Sequence, residues 1–270
     1  MCKRPKTMDD KEKPKSIGTC IKRLPGQALR EEESRLRDQF SDGPLLLMAF
    51  GWCIFGIECL HIFTKMPPSL WLGLLFAIPM TAYALVKIGK LRTKLRTLRQ
   101  GEEGERIVAQ AIEQDLIPQG YVVFHDVPLE KDGRNFNVDH LLVGSNGIFA
   151  IETKNYTKPA KGRPEVRYDG KTILWCGKCH TECDEIAQSM STAQSAKRLI
   201  DELTGLSVFV QPVLCAVGWY VNSTNLYGNP ILLVMEKTLK STIPKVTAKW
   251  QPTEVERNKI VAALKRNIGG

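Results

Sequence analysis

The chain has 270 residues, of which 43% are hydrophobic and 25% charged, with a net charge of +9. That is room for one ordinary domain with extras, or for two small ones, and the positive balance points to an anionic partner, lipid or nucleic acid. Eight cysteines in a chain of this size exclude the reading of a small secreted disulfide scaffold.

Residues 1–43 are polar and rich in Lys and Arg, and read as a mostly disordered basic arm with a short helix at Ala28–Gln39. Two apolar runs follow within 44–88: Pro44–Thr64 and Ser69–Val86. Each approaches the ~20 residues that a helix needs to cross ~30 Å of hydrocarbon. Between them, Lys65-Met66-Pro67-Pro68 is a helix-breaking turn, so the pair predicts a transmembrane helical hairpin. Neither run has a polar face, which argues against a buried soluble hairpin. The late start of the first run and the presence of a second argue against a cleaved signal peptide. Glu58 and His61 stand at i and i+3 near the end of the first run and read as an interfacial or interhelical polar pair.

Flanking charge sets the expected orientation. Lys87, Lys90, Arg92, Lys94, Arg96 and Arg99 follow the second run with no acid before Glu102, whereas the connecting turn carries Lys65 alone. The positive-inside rule then predicts an integral protein of an inner or plasma membrane with both termini in the cytoplasm. Residues 89–100 read as a basic juxtamembrane helix. The stretch 87–99, with Leu91, Leu95 and Leu98 at helical spacing, is expected to lie on anionic lipid, with a nucleic-acid role as the alternative.

Residues 101–270 alternate as a globular domain does. Patterning predicts a helix at Glu102–Leu116 and strands at Tyr121–Val127, Asn137–Val143 and Gly147–Thr153, with further strand material near Glu165–Trp175. A helix at Asp184–Leu203 ends at Gly205, strands follow at Val208–Val217 and Ile231–Met235, and a capping box at Thr253 and Glu256 opens a last helix, Pro252–Arg266. This is α/β or α+β with one central sheet.

The chemistry concentrates in the hairpin around Gly144-Ser145-Asn146-Gly147. A turn at Ser145-Asn146 puts Asp139 opposite Glu152; one at Asn146-Gly147 puts it opposite Lys154. Either way Asp139, Glu152 and Lys154 share one face, because opposed residues and i, i+2 neighbours lie on the same side of a sheet. Two carboxylates so close repel unless a cation lies between them, and a hard divalent ion with oxygen ligands, most simply Mg²⁺, resolves the conflict. A plain salt bridge from Lys154 is the competing reading. Glu105 lies at i, i+3, i+7 with Val108 and Ile112, so it points with the apolar side of its helix toward the sheet. Gly101 and Gly104 allow close backbone approach there.

Gly101–Val108 (GEEGERIV), Val138–His140 (VDH) and Gly147–Asn155 (GIFAIETKN) resemble the nuclease-related (NERD) domain of the PD-(D/E)xK nuclease-like superfamily, over about residues 101–215. The resemblance implies a restriction-endonuclease-like mixed sheet flanked by helices. It implies a Mg²⁺-dependent endo- or exodeoxyribonuclease, with Mn²⁺ as a substitute ion and DNA as partner. At matching positions it implies catalytic roles for Glu105, Asp139, Glu152, Lys154 and Gln188, with Asp139 and Glu152 as metal ligands. Gln194 competes with Gln188, since the family's Asn-Pro before the glutamine is absent. His140 follows the aspartate as in the family but points to the opposite face and reads as structural. The alternative is a catalytically silent nucleic-acid-binding or protein-interaction module at a membrane.

Trp175–Asp184 reads WCGKCHTECD. Cys176, Cys179 and Cys183, with His180, have half-site spacing for Zn²⁺. The preferred reading is a reduced, solvent-facing loop. Haem attachment at Cys176-x-x-Cys179-His180 is set aside because the charge argument places the domain in the cytoplasm.

Overall fold

The computed structural model describes residues 23–39, 43–60, 70–131, 133–178, 184–223, 229–246 and 248–268. In chain order these hold α1 (Gln27–Gln39), α2 (Gly43–Leu60), α3 (Leu70–Asp115), β1 (Val122–Lys131), β2 (Arg134–Gly144), β3 (Gly147–Lys154), β4 (Glu165–Tyr168) and β5 (Ile173–Trp175). Then come α4 (Glu185–Thr204), β6 (Val210–Ala216), β7 (Tyr220–Ser223), β8 (Leu232–Val234), α5 (Leu239–Thr242) and α6 (Glu254–Asn267). The expected turn at Lys65–Pro68, His61, and the ligand cluster's Cys179, His180 and Cys183 lie outside the described residues.

Two helices are long and apolar enough to cross a membrane. α2 and the first half of α3 pack together, with Gly51 against Ala77 and Gly73 against Phe55, so they run in opposite directions. The Trp52 indole N–H donates to Thr81 Oγ1 at 3.1 Å. Their outer faces leave Leu46, Phe50, Ile57, Trp71, Leu75 and Ile78 exposed.

The helix predicted to begin at Glu102 has no break before it. α3 carries the second apolar run, the basic stretch and the first helix of the domain as one element of 46 residues. Glycine inside a helix costs only about 1 kcal/mol relative to alanine. Close packing also requires a glycine here, since a Cβ on Gly104 would lie 2.6 Å from that of Asn155.

The main sheet has five strands in the order β1-β2-β3-β6-β8. β1, β2 and β3 form an antiparallel meander, and β6 joins β3 in parallel after the α4 crossover. The material near Glu165–Trp175 does not join it. β4 pairs instead with β5 on one side and, on the other, with β7, an element that sequence patterning did not predict, in a second sheet of order β5-β4-β7. The reason is topological: β3 already has β2 on one side and β6 on the other, so the returning chain finds no free edge beside it.

Both faces of β2 and β3 are buried. Leu142, Phe149 and Ile151 pack against Val108, Ile112 and Leu116. Leu141, Val143, Ile148 and Ala150 pack against Ala193, Ala196 and Ile200 of α4 and Ile260 and Leu264 of α6. The hairpin turns at Ser145-Asn146, with Gly144 opposite Gly147. Asn146 explains the choice. Its side chain accepts from the Tyr121 hydroxyl at 2.8 Å and donates to the carbonyls of Ile243 and Val246 at 2.8 and 2.9 Å. Gly147 has φ +145°, and a Cβ there would lie 2.4 Å from that of Ala248. Asn146→Ala removes three hydrogen bonds and leaves their partners half-buried. We expect a loss of about 2–4 kcal/mol in chemical denaturation, and an unchanged midpoint would show that water replaces this staple.

Candidate active site

The realised turn puts Asp139 and Glu152 at the same level of the sheet, one step beyond the last β2–β3 pair, His140 with Ile151. Past that pair the strands part. The Thr153 backbone N–H donates to Asp139 Oδ2 at 2.7 Å. β6 keeps the end of β3 in place, pairing Leu214 with Glu152 and Ala216 with Lys154.

α4 brings the third side chain. Asp184 caps it by accepting from the Ala187 N–H at 3.0 Å. Glu185 is buried and accepts from the Trp175 indole N–H at 3.2 Å and the Tyr156 hydroxyl at 3.1 Å, which fixes the first turn against the smaller sheet. Gln188, one turn on, donates to Glu152 Oε1 at 2.6 Å, and its carbonyl accepts from Lys154 Nζ at 2.9 Å. Lys154 also donates to Glu152 Oε1 at 3.1 Å. A carboxylate, an ammonium and an amide thus form a closed triangle. Gln188 is the glutamine that enters this site, whereas Gln194 is exposed.

Glu105 comes from α3, a turn before Val108, and lines one cavity with Asp139, Glu152 and Gln188. That cavity has a volume of about 1090 Å³. Burial, reinforced by Asp126 and then Glu152, pushes the Glu105 carboxyl up to about 7, although the Gly26 N–H pulls the other way. Burial also raises Asp139 well above the ordinary carboxylate range, with Glu152 and Glu105 adding to the effect. Neighbouring carboxylates therefore add to burial in disfavouring charge on Glu105 and Asp139.

Sequence reasoning missed Asp126. It is buried on β1 in the register position opposite Asp139, with φ +50°. Asp126, Asp139 and Glu152 thus stand in a row across three neighbouring strands. Asp126 accepts from Asn137 Nδ2 at 2.6 Å and from the Ala28 N–H at 3.1 Å, and lies 3.5 Å from the Arg23 guanidinium. The signal was present: a carboxylate, beside His125, in a strand whose first half is otherwise apolar. The short helix expected in the arm forms, as α1, but its seating on the site was also missed. His140 turns away, and its Nδ1 lies 2.8 Å from that of His125. Burial keeps both imidazoles neutral at pH 7, with His125 lowered to about 4.

Among the described residues no three His, Cys, Asp or Glu side chains stand as a ready-made metal cage. Asp139 and Glu152, with Glu105 on the same cavity, make a partial set of hard oxygen donors. That set fits Mg²⁺, which binds through one or two carboxylates and keeps waters or phosphate oxygens on its other positions. Cys176 is exposed, and the rest of its cluster is outside the described residues.

The mixed five-stranded sheet flanked by helices, with carboxylates and a lysine where its central strands part, is a nuclease-like arrangement. Residues 100–217 match the nuclease-related domain (NERD) family, and the chain carries that domain. An uncharacterized protein of Bacillus anthracis is similar, with 34% identity over 58 residues, 21% of this chain and 27% of that protein. The chain thus spans about a quarter of the length of that curated relative. No solved structure matches the chain.

Proposed function

We propose that this protein is a membrane-anchored, metal-dependent nuclease that hydrolyses DNA phosphodiester bonds. The observation that carries the reading is the convergence of Glu105, Asp139, Glu152 and Gln188 on one cavity, with Lys154 bonded to both Glu152 and Gln188, from four separate elements of a nuclease-related domain. Asp139 and Glu152 would hold Mg²⁺, or Mn²⁺ in its place. When bound, the ion supplies charge neutralisation at the phosphate and a more acidic water.

The chain's own residues do the rest. Lys154, a donor only, orients the attacking water or stabilises charge building on the phosphoryl oxygens. As the water's oxygen bonds to phosphorus, the bond to the leaving ester oxygen breaks. Gln188 holds Lys154 and Glu152 at fixed separation, with its carbonyl toward the ammonium and its amide N–H toward the carboxylate. Glu105, at about 7, is the carboxyl that changes protonation near neutral pH and is suited to take the water's proton.

The two apolar helices support anchoring in an inner or plasma membrane, and the basic flank at 87–99 supports cytoplasmic termini and contact with anionic lipid. Zn²⁺ at Cys176, Cys179 and Cys183 forms no part of the reading. The direct test is cleavage of several DNA and RNA forms by the full chain with and without Mg²⁺. DNA cleavage that needs the ion supports the reading. Salt-sensitive DNA binding without turnover would replace it with a silent binding module.

A further inference from the structure

α1 and the residues just before it close the candidate site from outside. The Gly26 N–H donates to Glu105 Oε2 at 2.9 Å, and the Ala28 N–H to Asp126 Oδ2 at 3.1 Å. Arg23 reaches Asp126 beside them. Three donors from one segment therefore sit on two of the site's buried carboxylates. Further along, α1 turns its acids to α3. Glu32 pairs with Lys94 and Glu33 with Arg99, both at 2.9 Å, while Arg30 pairs with Glu102 at 3.3 Å. Glu31 and Glu32 also line the cavity that holds Asp139 and Glu152.

The segment thus does two things at once. It blocks the carboxylates with its backbone, and it puts carboxylates on the basic residues that lead away from them. From Glu105 back to Lys94 is 11 residues of continuous helix, a rise of about 16 Å. A nucleic-acid strand with its reacting phosphate at Lys154 has other phosphates to place over that distance, and Arg99 and Lys94 are cations within reach. The latches are exposed ion pairs, which are individually weak and screened by salt. A polyanion can therefore displace them where a neutral ligand cannot.

We propose that residues 23–39 form an autoinhibitory strap whose Glu32 and Glu33 occupy, on Lys94 and Arg99, the places of nucleic-acid phosphates. Binding of nucleic acid then requires the strap to leave, which uncovers Glu105 and Asp126. This rests on the nuclease reading above. An anionic membrane could also meet Lys94 and Arg99. Nucleic acid fits better because the same segment covers both the basic residues and the carboxylates, and a lipid surface has no use for the second.

The test uses the full chain in detergent micelles, a fluorescent DNA duplex in EDTA, and hydrogen exchange over residues 23–39. Glu32→Gln/Glu33→Gln is expected to bind DNA about tenfold tighter than the wild type. DNA added to the wild type should speed exchange at Gly26 and Ala28. Lys94→Ala/Arg99→Ala should speed the same exchange without DNA yet bind DNA more weakly, which separates loss of the strap from loss of the phosphate track. If the glutamine variant binds and cleaves DNA as the wild type does, the strap is refuted and the nuclease reading survives. Protection that persists with DNA bound refutes it equally. If phosphatidylserine vesicles release the strap and DNA does not, the nucleic-acid assignment is wrong. If no variant binds or cleaves DNA, the nuclease reading fails and takes the strap with it.

Discussion

Lys154→Ala is expected to lower Mg²⁺-dependent DNA cleavage by about 10²–10³-fold, the range for losing one preorganised donor at a developing charge. The ammonium lies between Glu152 Oε1 and the Gln188 carbonyl, so its removal also leaves a buried carboxylate with one donor fewer. Breaking a buried pair from one side costs about 3–5 kcal/mol when nothing replaces the partner. The variant should therefore melt lower than the wild type in EDTA, and added Mg²⁺ should recover part of the difference. Gln188→Ala should do less to stability, since the Lys154–Glu152 contact survives, but should lower the rate through misplacement of Lys154. The measurements are single-turnover cleavage and thermal unfolding, each with and without the ion. Wild-type cleavage by Lys154→Ala would remove the lysine from the mechanism.

The second large effect is a pH dependence set by Glu105. Its carboxyl rises from an ordinary 4.5 to about 7 on folding. Between those values the folded chain keeps a proton that the unfolded chain has lost, so stability falls as pH rises through this window. At about 1.4 kcal/mol for each pH unit crossed, the loss reaches roughly 3 kcal/mol by pH 8. The buried histidines act in the opposite sense. Their folded pKa values are depressed, His125 to about 4, so stability is lost as pH falls below their ordinary 6.5. The two effects partly cancel in the wild type. Glu105→Gln removes one of them while its amide oxygen can still accept from Gly26.

The variant should be more stable than the wild type at pH 8 without metal, and from about pH 4 to 6.5 its stability should rise more with pH than the wild type's, because the histidine effect is opposed by one raised carboxyl fewer. Asp139, also raised by burial, leaves some of the original slope. Mg²⁺ should stabilise the wild type more than the variant at pH 8, because the ion relieves repulsion that the variant lacks. Chemical denaturation at several pH values with and without Mg²⁺ measures all of this. Parallel curves for the two proteins would show that Glu105 keeps an ordinary pKa.

Much of the site was legible because it depends on local periodicity. Asp139, Glu152 and Lys154 share a face in either turn register, so parity alone brought them together. Glu105 followed from a helical spacing with Val108 and Ile112. The helix caps at Gly205 and Thr253 were equally readable, since each acts within a few residues of itself. Less local choices were not readable. Two glutamines six positions apart on α4 point in different directions, and only the placement of that helix by Glu185 against Trp175 and Tyr156 put Gln188 on Lys154. The turn register depended on Asn146 reaching Ile243 and Val246, about a hundred residues away. The continuity of α3 was obscured by two glycines whose missing side chains matter only once Leu29 and Asn155 pack there.

The sequence by itself determined the apolar helices, the polar face of the hairpin and the nuclease-related domain, because periodicity, composition and short motifs are written in neighbouring residues. Tertiary structure decided the turn register, the choice of Gln188, the row of carboxylates completed by Asp126, and the seating of residues 23–39 across the site. Each of these joins segments far apart in the chain. Their partners are chosen by burial and charge in three dimensions, which no local pattern encodes.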